Sequence, residues 1–164
     1  PIVMYGQLVG WQGRYPGERN WKADGCPKYF GLRAMPKRLM LYNHDRALGS
    51  PVVVLREGVT DVWATGPYAV ALLGKRVTRW QAQMLALEWG RKGALLVVGL
   101  DGGVDPTQDP YWPDLLRAFE NRVVVQKLPD DCDPGQFSPG VNWDLIRRAA
   151  TDAGFALPAA PPTQ

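Results

Sequence analysis

Two carboxylates follow closely on two apolar runs. Glu57 comes after "VVVL" (52–55) with Arg56 between them, Asp61 stands four residues later, and Asp101 closes "ALLVVGL" (94–100). Short, β-branched runs bounded by breakers read as strands buried on both faces. Open α/β sheets carry their chemistry at the carboxyl ends of parallel strands, so acids placed there face a crevice. Gly58 allows a sharp turn after the first run, and Asp61 falls one helical turn further on, toward the same crevice. If the two strands are neighbours, Glu57 and Asp101 converge. Like charges held close are costly unless a cation neutralises them, and oxygen ligands with room for water and phosphate suit Mg²⁺ or Mn²⁺. Asp130, Asp131 and Asp133 form a third acidic group, in the Pro/Gly/Asp loop that follows "RVVVQKL" (122–128).

The intervening residues supply the elements that must position these acids. A short helix is expected over 59–66, closed by Gly66-Pro67, and a second strand over 68–74. Thr78 and Gln81 have capping-box spacing and open a helix in which Trp80, Met84 and Leu87 share one face, expected to pack into the core. Pro113 and Asp114 suit the first turn of another helix, and a last helix is expected from about Asn142 to Ala153. Strands and helices alternate at βαβ spacing. The expected fold class is therefore α/β, a mainly parallel sheet with helices on both faces. A small β-containing segment precedes it, beginning with a hairpin over 1–13. The chain divides into a basic segment (1–50), the α/β domain (51–153) and a tail or linker (154–164).

Charge is unevenly spread. Residues 1–56 hold nine Lys/Arg and three Asp/Glu, a balance of +6, and the remainder is acidic by three, within a chain of net charge +3. A basic front half beside an acidic rear half suits a polyanion held near a metal. In residues 14–28, rich in Gly, Pro and charge, Arg14, Arg19, Lys22 and Lys28 are interleaved with Tyr15, Trp21 and the following Tyr29, a pattern that can hold phosphates while rings stack on bases. The two cysteines, Cys26 and Cys132, and the one histidine, His44, do not make a zinc module. There is no Walker A loop, no signal-peptide pattern and no apolar run long enough to span a membrane. A cytoplasmic domain, excised from a longer chain, is expected.

Taken in order, "VVLREGVTDV", "VALLG", "VVGLDGG" and "VVVQKLPDDCDP" resemble a TOPRIM domain, and within that superfamily the domain of bacterial and phage DnaG-type primases. The family pattern is a Glu after the first strand, D-x-D after a later one, and a final acidic "LP-x-x-x-DP" segment. Upstream, "PI", "VGWQGR", "PKY", "PKR" and "LYNHDRA" are similar to the segment that precedes TOPRIM in those primases. The likeness covers roughly residues 1–150. It implies metal-dependent synthesis of RNA primers from nucleoside triphosphates on a single-stranded DNA template. Glu57 and Asp101 would be catalytic, Glu57, Asp61, Asp101, Asp130, Asp131 and Asp133 would hold Mg²⁺ or Mn²⁺, and Arg14, Lys28, Lys37 and Arg38 would line the template and nucleotide groove. A replicative helicase would be reached through domains outside this chain.

Two departures stand out. Gly103 occupies the place of the second D-x-D acid, with Asp105 two residues later as a substitute only if the loop folds back. Phe30-Gly31 replaces the polar pair that often follows "KY". Competing readings are a non-catalytic nucleic-acid-binding TOPRIM module, which Gly103 favours, and a nuclease or topoisomerase-type strand cutter, against which the upstream pattern speaks. A flavodoxin-like or receiver domain is more remote.

Overall fold

A computed structural model describes residues 1–15, 25, 27–129 and 131–159. Arg19, Trp21, Lys22, Cys26 and Asp130 lie outside the described residues. Strands β1 (Ile2–Met4) and β2 (Gln7–Gly10) form the expected antiparallel hairpin. Its Tyr5-Gly6 turn has positive φ at both positions, and both turn amides donate to the Asp45 carboxylate at 2.7 Å. Strand β3 (Gln12–Arg14) pairs antiparallel with β4 (Tyr29–Gly31). Ile2, Met4, Met35 and Met40 form a small core beneath the hairpin.

After the single turn α1 (His44–Ala47) come β5 (Val52–Arg56), α2 (Val59–Thr65), β6 (Ala69–Ala71), α3 (Arg79–Glu88), β7 (Leu95–Val98), α4 (Trp112–Ala118), β8 (Val123–Val125) and α5 (Pro139–Asp152). The four later strands make one sheet in the order β6-β5-β7-β8, with every pair parallel. Strand alternation sends Val53, Leu55, Leu96 and Val98 to one face, against Ala82 and Leu85 of α3, Trp89 at its C-terminal cap and Leu115 of α4. Val52, Val54, Leu95 and Val97 face the other way, against Val62 of α2 and Trp143 and Ile146 of α5. Both faces are covered, so the central strands carry unbroken apolar runs rather than an alternating pattern. Truncating a fully buried residue such as Leu96 would cost about 2–5 kcal/mol.

The capping box of α3 forms as expected: Gln81 N donates to Thr78 Oγ1 at 3.3 Å and Thr78 N to Gln81 Oε1 at 3.0 Å. The inward face differs from the expectation. Trp80 and Leu87 are 61% and 49% exposed and Met84 is only partly buried. Ala82, Leu85 and Trp89 recur at i, i+3 and i+7 and take the inward stripe instead, with the Trp89 indole donating to Ala47 O at 3.0 Å. A helix with two apolar stripes buries the one the sheet meets.

Helix α5 also starts earlier than expected. Ser138 caps it by accepting from Val141 N, Pro139 takes the first position, and Asn142 is fully buried within it. Downstream, Phe155 and Leu157 pack on the second core, and the Trp143 indole donates to Pro158 O at 3.2 Å. The start of the expected tail is thus part of the fold. Among the described residues, no helix is long and apolar enough to cross a membrane.

Candidate metal centre

Because β5 and β7 are adjacent, the residues that end them lie side by side. The Asp101 amide donates to Glu57 Oε1 at 3.3 Å. Asp61 sits at the third position of α2 and reaches back to accept from Gly58 N at 2.8 Å, an acid where the helix N-terminus favours one. Asp133 arrives from the last acidic loop. Its Oδ1 accepts from Gly135 N at 2.6 Å as it caps the 3-10 turn Pro134–Gln136, which packs on α2. Gly135 leaves these carboxylates room: a Cβ there would lie 2.9 Å from Asp133 Oδ1 and 3.2 Å from Asp61 Oδ1 and would displace them. The loop after β7 is tied to the last acidic loop by Gly102 N donating to Cys132 O at 2.8 Å.

One carboxylate oxygen from each of Asp61, Asp101 and Asp133 lies within 4.8 Å of the other two. Burial, together with a hydrogen bond and repulsion from Asp133, pushes the Asp61 carboxyl up to about 7. Burial and the charge of Asp133 raise Asp101, and burial and the charge of Asp101 raise Glu57. Asp101 Oδ1 is buried without a hydrogen-bond partner. Three crowded acids, raised proton affinities and an orphaned carboxylate oxygen fit an all-oxygen divalent cation site. Asp61, Asp101 and Asp133 are the residues that would hold the ion, with Glu57 alongside.

Beneath the acids lies Arg56, which is fully buried. Its guanidinium donates to Thr65 Oγ1 at 2.9 Å, Gly99 O at 2.8 Å and Asn142 Oδ1 at 3.4 Å. Burial lowers it to about 10, and the carboxylates of Asp61, Asp101 and Asp133 oppose that shift. It therefore remains charged at neutral pH and partly offsets the acids from below. The side-chain amide of Asn142 in turn donates to Ala64 O at 2.9 Å and Pro134 O at 3.0 Å, which fixes the arginine's partner. Gly99 leaves the needed space, since a Cβ there would collide with the Arg56 guanidinium.

The remaining sequence candidates lie as follows. Asp105 is exposed and accepts from Thr107 N at 2.9 Å and Thr107 Oγ1 at 2.7 Å, outside the acidic group. Asp131 is exposed at φ 64° and also outside it. Gly103 has φ 81°, so the missing second acid coincides with a left-handed backbone position. Arg14 and Lys28 lie 5.8 and 5.7 Å from the Tyr29 ring centroid. The positive charge of Lys28 also acts to lower the Asp101 carboxyl. Lys37 and Arg38 line a different cleft, against the start of α3.

Two residues went unassigned in the sequence. Lys75, whose charge acts on both Glu57 and Asp101, follows directly on Gly74 at the carboxyl end of the β6 run, and that position was its signal. Arg56 has a weaker one, a charge inside an otherwise buried strand.

No protein-family model matches the sequence, and no curated protein does. Among solved structures, that of the Aquifex aeolicus primase, comprising its zinc-binding and RNA polymerase domains, is similar with a TM-score of 0.64 at 24% sequence identity. The match covers 90% of this chain and 37% of the primase chain. The chain shares the fold of that part of the primase chain, a Rossmann-like parallel α/β domain preceded by small antiparallel β-pairs.

Proposed function

We propose that this chain is the catalytic portion of a primase-type nucleotidyltransferase that makes RNA primers on single-stranded DNA. The observation that carries the proposal is the convergence of Asp61, Asp101 and Asp133 oxygens within 4.8 Å at the carboxyl ends of parallel strands. A bound Mg²⁺ or Mn²⁺ would supply charge neutralisation for the attacking and leaving oxygens of an in-line displacement at phosphorus. Asp61, Asp101 and Asp133 would hold that ion. Glu57, raised by burial and by Asp101, is suited to hold the proton of an attacking 3′ hydroxyl. Lys28 and Lys75, which together with the buried Arg56 are the cations that act on Asp101, would bind triphosphate oxygens. Arg14 belongs with Lys28 at Tyr29, where a base can stack.

The test is primer synthesis from ribonucleotides on single-stranded DNA with Mn²⁺ or Mg²⁺, using the chain extended in both directions. Products that vanish in Asp101→Ala support the reading, and undiminished synthesis in that variant overturns it. Gly103 in place of the second acid favours a second reading, a nucleic-acid-binding module without synthesis. That reading expects salt-sensitive binding of single-stranded DNA, weakened by Lys28→Glu, with no product in any metal.

A further inference from the structure

We infer that Gln126 is a positioning residue of the cation site, its carboxamide holding a water of the ion's hydration shell from the β8 side. The inference rests on the metal-centre reading above and adds the end of a third strand to it. Gln126 follows directly on β8, and its backbone amide donates to Val98 O at 2.9 Å, which continues the ladder with β7. It therefore lies beside Gly99, two residues before Asp101. Gln126 is 3% exposed. Its Oε1 and Nε2 are both buried, and neither has a hydrogen-bond partner.

The side chain points into the layer beneath the acids. Strand alternation puts Gln126 on the same face as Val124, which packs toward α5 as Val54 does. The space that Gly99 leaves open is shared by Arg56 and Gln126: a Cβ there would collide with the guanidinium and lie 2.6 Å from Gln126 Oε1. Arg56 in turn feels the charges of Asp61, Asp101 and Asp133. A buried carboxamide without partners is costly, and an apolar side chain of similar size would remove that cost. The other buried side-chain amides are used: Gln81 Nε2 donates to Met40 O at 2.7 Å and Leu72 O at 2.9 Å, and Asn142 Nδ2 to Ala64 O at 2.9 Å and Pro134 O at 3.0 Å. The exception stands at the acidic centre, where Asp101 Oδ1 is also buried without a partner. A divalent ion held by a few carboxylates keeps several of its waters, and the groups that bind those waters and orient the carboxylates tune its affinity. Gln126 offers an open acceptor to such a water and an open donor to a carboxylate oxygen.

The test is isothermal titration of Mn²⁺ into the full chain and its variants, with thermal melts in EDTA to follow the metal-free protein. Gln126→Leu should weaken Mn²⁺ binding about tenfold or more, as removal of an outer-shell partner does. Its melting temperature without metal should stay at or above the parent's, because the change removes two unpartnered buried atoms. A glutamine with a merely structural role predicts the opposite pair, a lower melting temperature and unchanged Mn²⁺ affinity, and that result would overturn the inference. Gln126→Glu keeps an acceptor at the same reach and should bind Mn²⁺ at least as tightly as the parent. Binding by folded Gln126→Glu as weak as by Gln126→Leu would also count against the inference. If Gln126→Leu does not fold, Gln126→Met, unbranched and of similar length, takes its place with the same expectations. Asp101→Ala separates the two readings. Loss of Mn²⁺ binding in that variant, with parental binding in the Gln126 variants, leaves the metal centre standing and removes Gln126 from it. A parent chain that binds no Mn²⁺ overturns both.

Discussion

Arg56 Nη1 donates to Gly99 O at 2.8 Å, and this bond joins the ends of the two strands that deliver Glu57 and Asp101. The arginine is a structural member of the acidic centre. It holds the strand ends in register and places a fixed positive charge beneath three carboxylates. Removing it would leave Gly99 O and Asn142 Oδ1 without their donor and the acids without their internal counter-charge. Arg56→Met is expected to lower stability by about 3 kcal/mol, the range for breaking a buried charged network. Denaturant melts with and without Mn²⁺ check this, and a variant as stable as the parent would show that the bonds are dispensable.

The raised carboxyl of Asp61 makes stability fall with pH when no metal is bound. The folded group titrates near 7 and the unfolded one near its ordinary 3.8, so between those values the folded state keeps a proton that the unfolded state has lost. Stability is highest below that window, declines as pH rises through it, and levels off above about 7. The raised Glu57 and Asp101 act in the same direction. Thermal melts in EDTA should show this decline. Asp61→Asn should reduce it, and saturating Mn²⁺ should reverse it above pH 7, because the ion replaces the proton. Mn²⁺ affinity itself should rise with pH up to about 7.

Asp105 is engaged by its own turn, through Thr107 and Gln108, which lowers its proton affinity. Asp105→Ala should leave Mn²⁺ affinity unchanged by isothermal titration, whereas Asp133→Ala should weaken it at least about tenfold. Loss of binding in the Asp105 variant would mean that the 101–109 loop closes over the ion.

Gly103 at φ 81° sets up a paired comparison. Gly103→Asp and Gly103→Asn carry the same backbone cost, about 1 kcal/mol, with Asp and Asn among the residues that tolerate this region best. Their difference therefore isolates the charge. The Asp variant should bind a second Mn²⁺ more tightly than the Asn variant. Equal binding by two folded variants would exclude Gly103 as the place of a missing ligand.

The sequence alone determined the alternation of strands and helices, the carboxylates that end them and the capping box of α3. These are local signals: short β-branched runs, a breaker after each, and Thr78 three residues before Gln81. That Glu57 and Asp101 are neighbours was only a condition, because strand order is a long-range choice, and the β6-β5-β7-β8 order met it. Tertiary structure alone decided which acids share one volume. Asp133 joins Asp61 and Asp101 because the turn over Pro134–Gln136 docks on α2, while Asp105 is turned away by its own cap. It also decided that Trp80 and Leu87 face outward, since a helix with two apolar stripes buries the one that the sheet meets. The role of Arg56 was barely legible, because a charge inside a buried strand gives only a weak sign of whether the fold will surround it with acceptors. Here Thr65, Gly99 and Asn142, distant in sequence, do so.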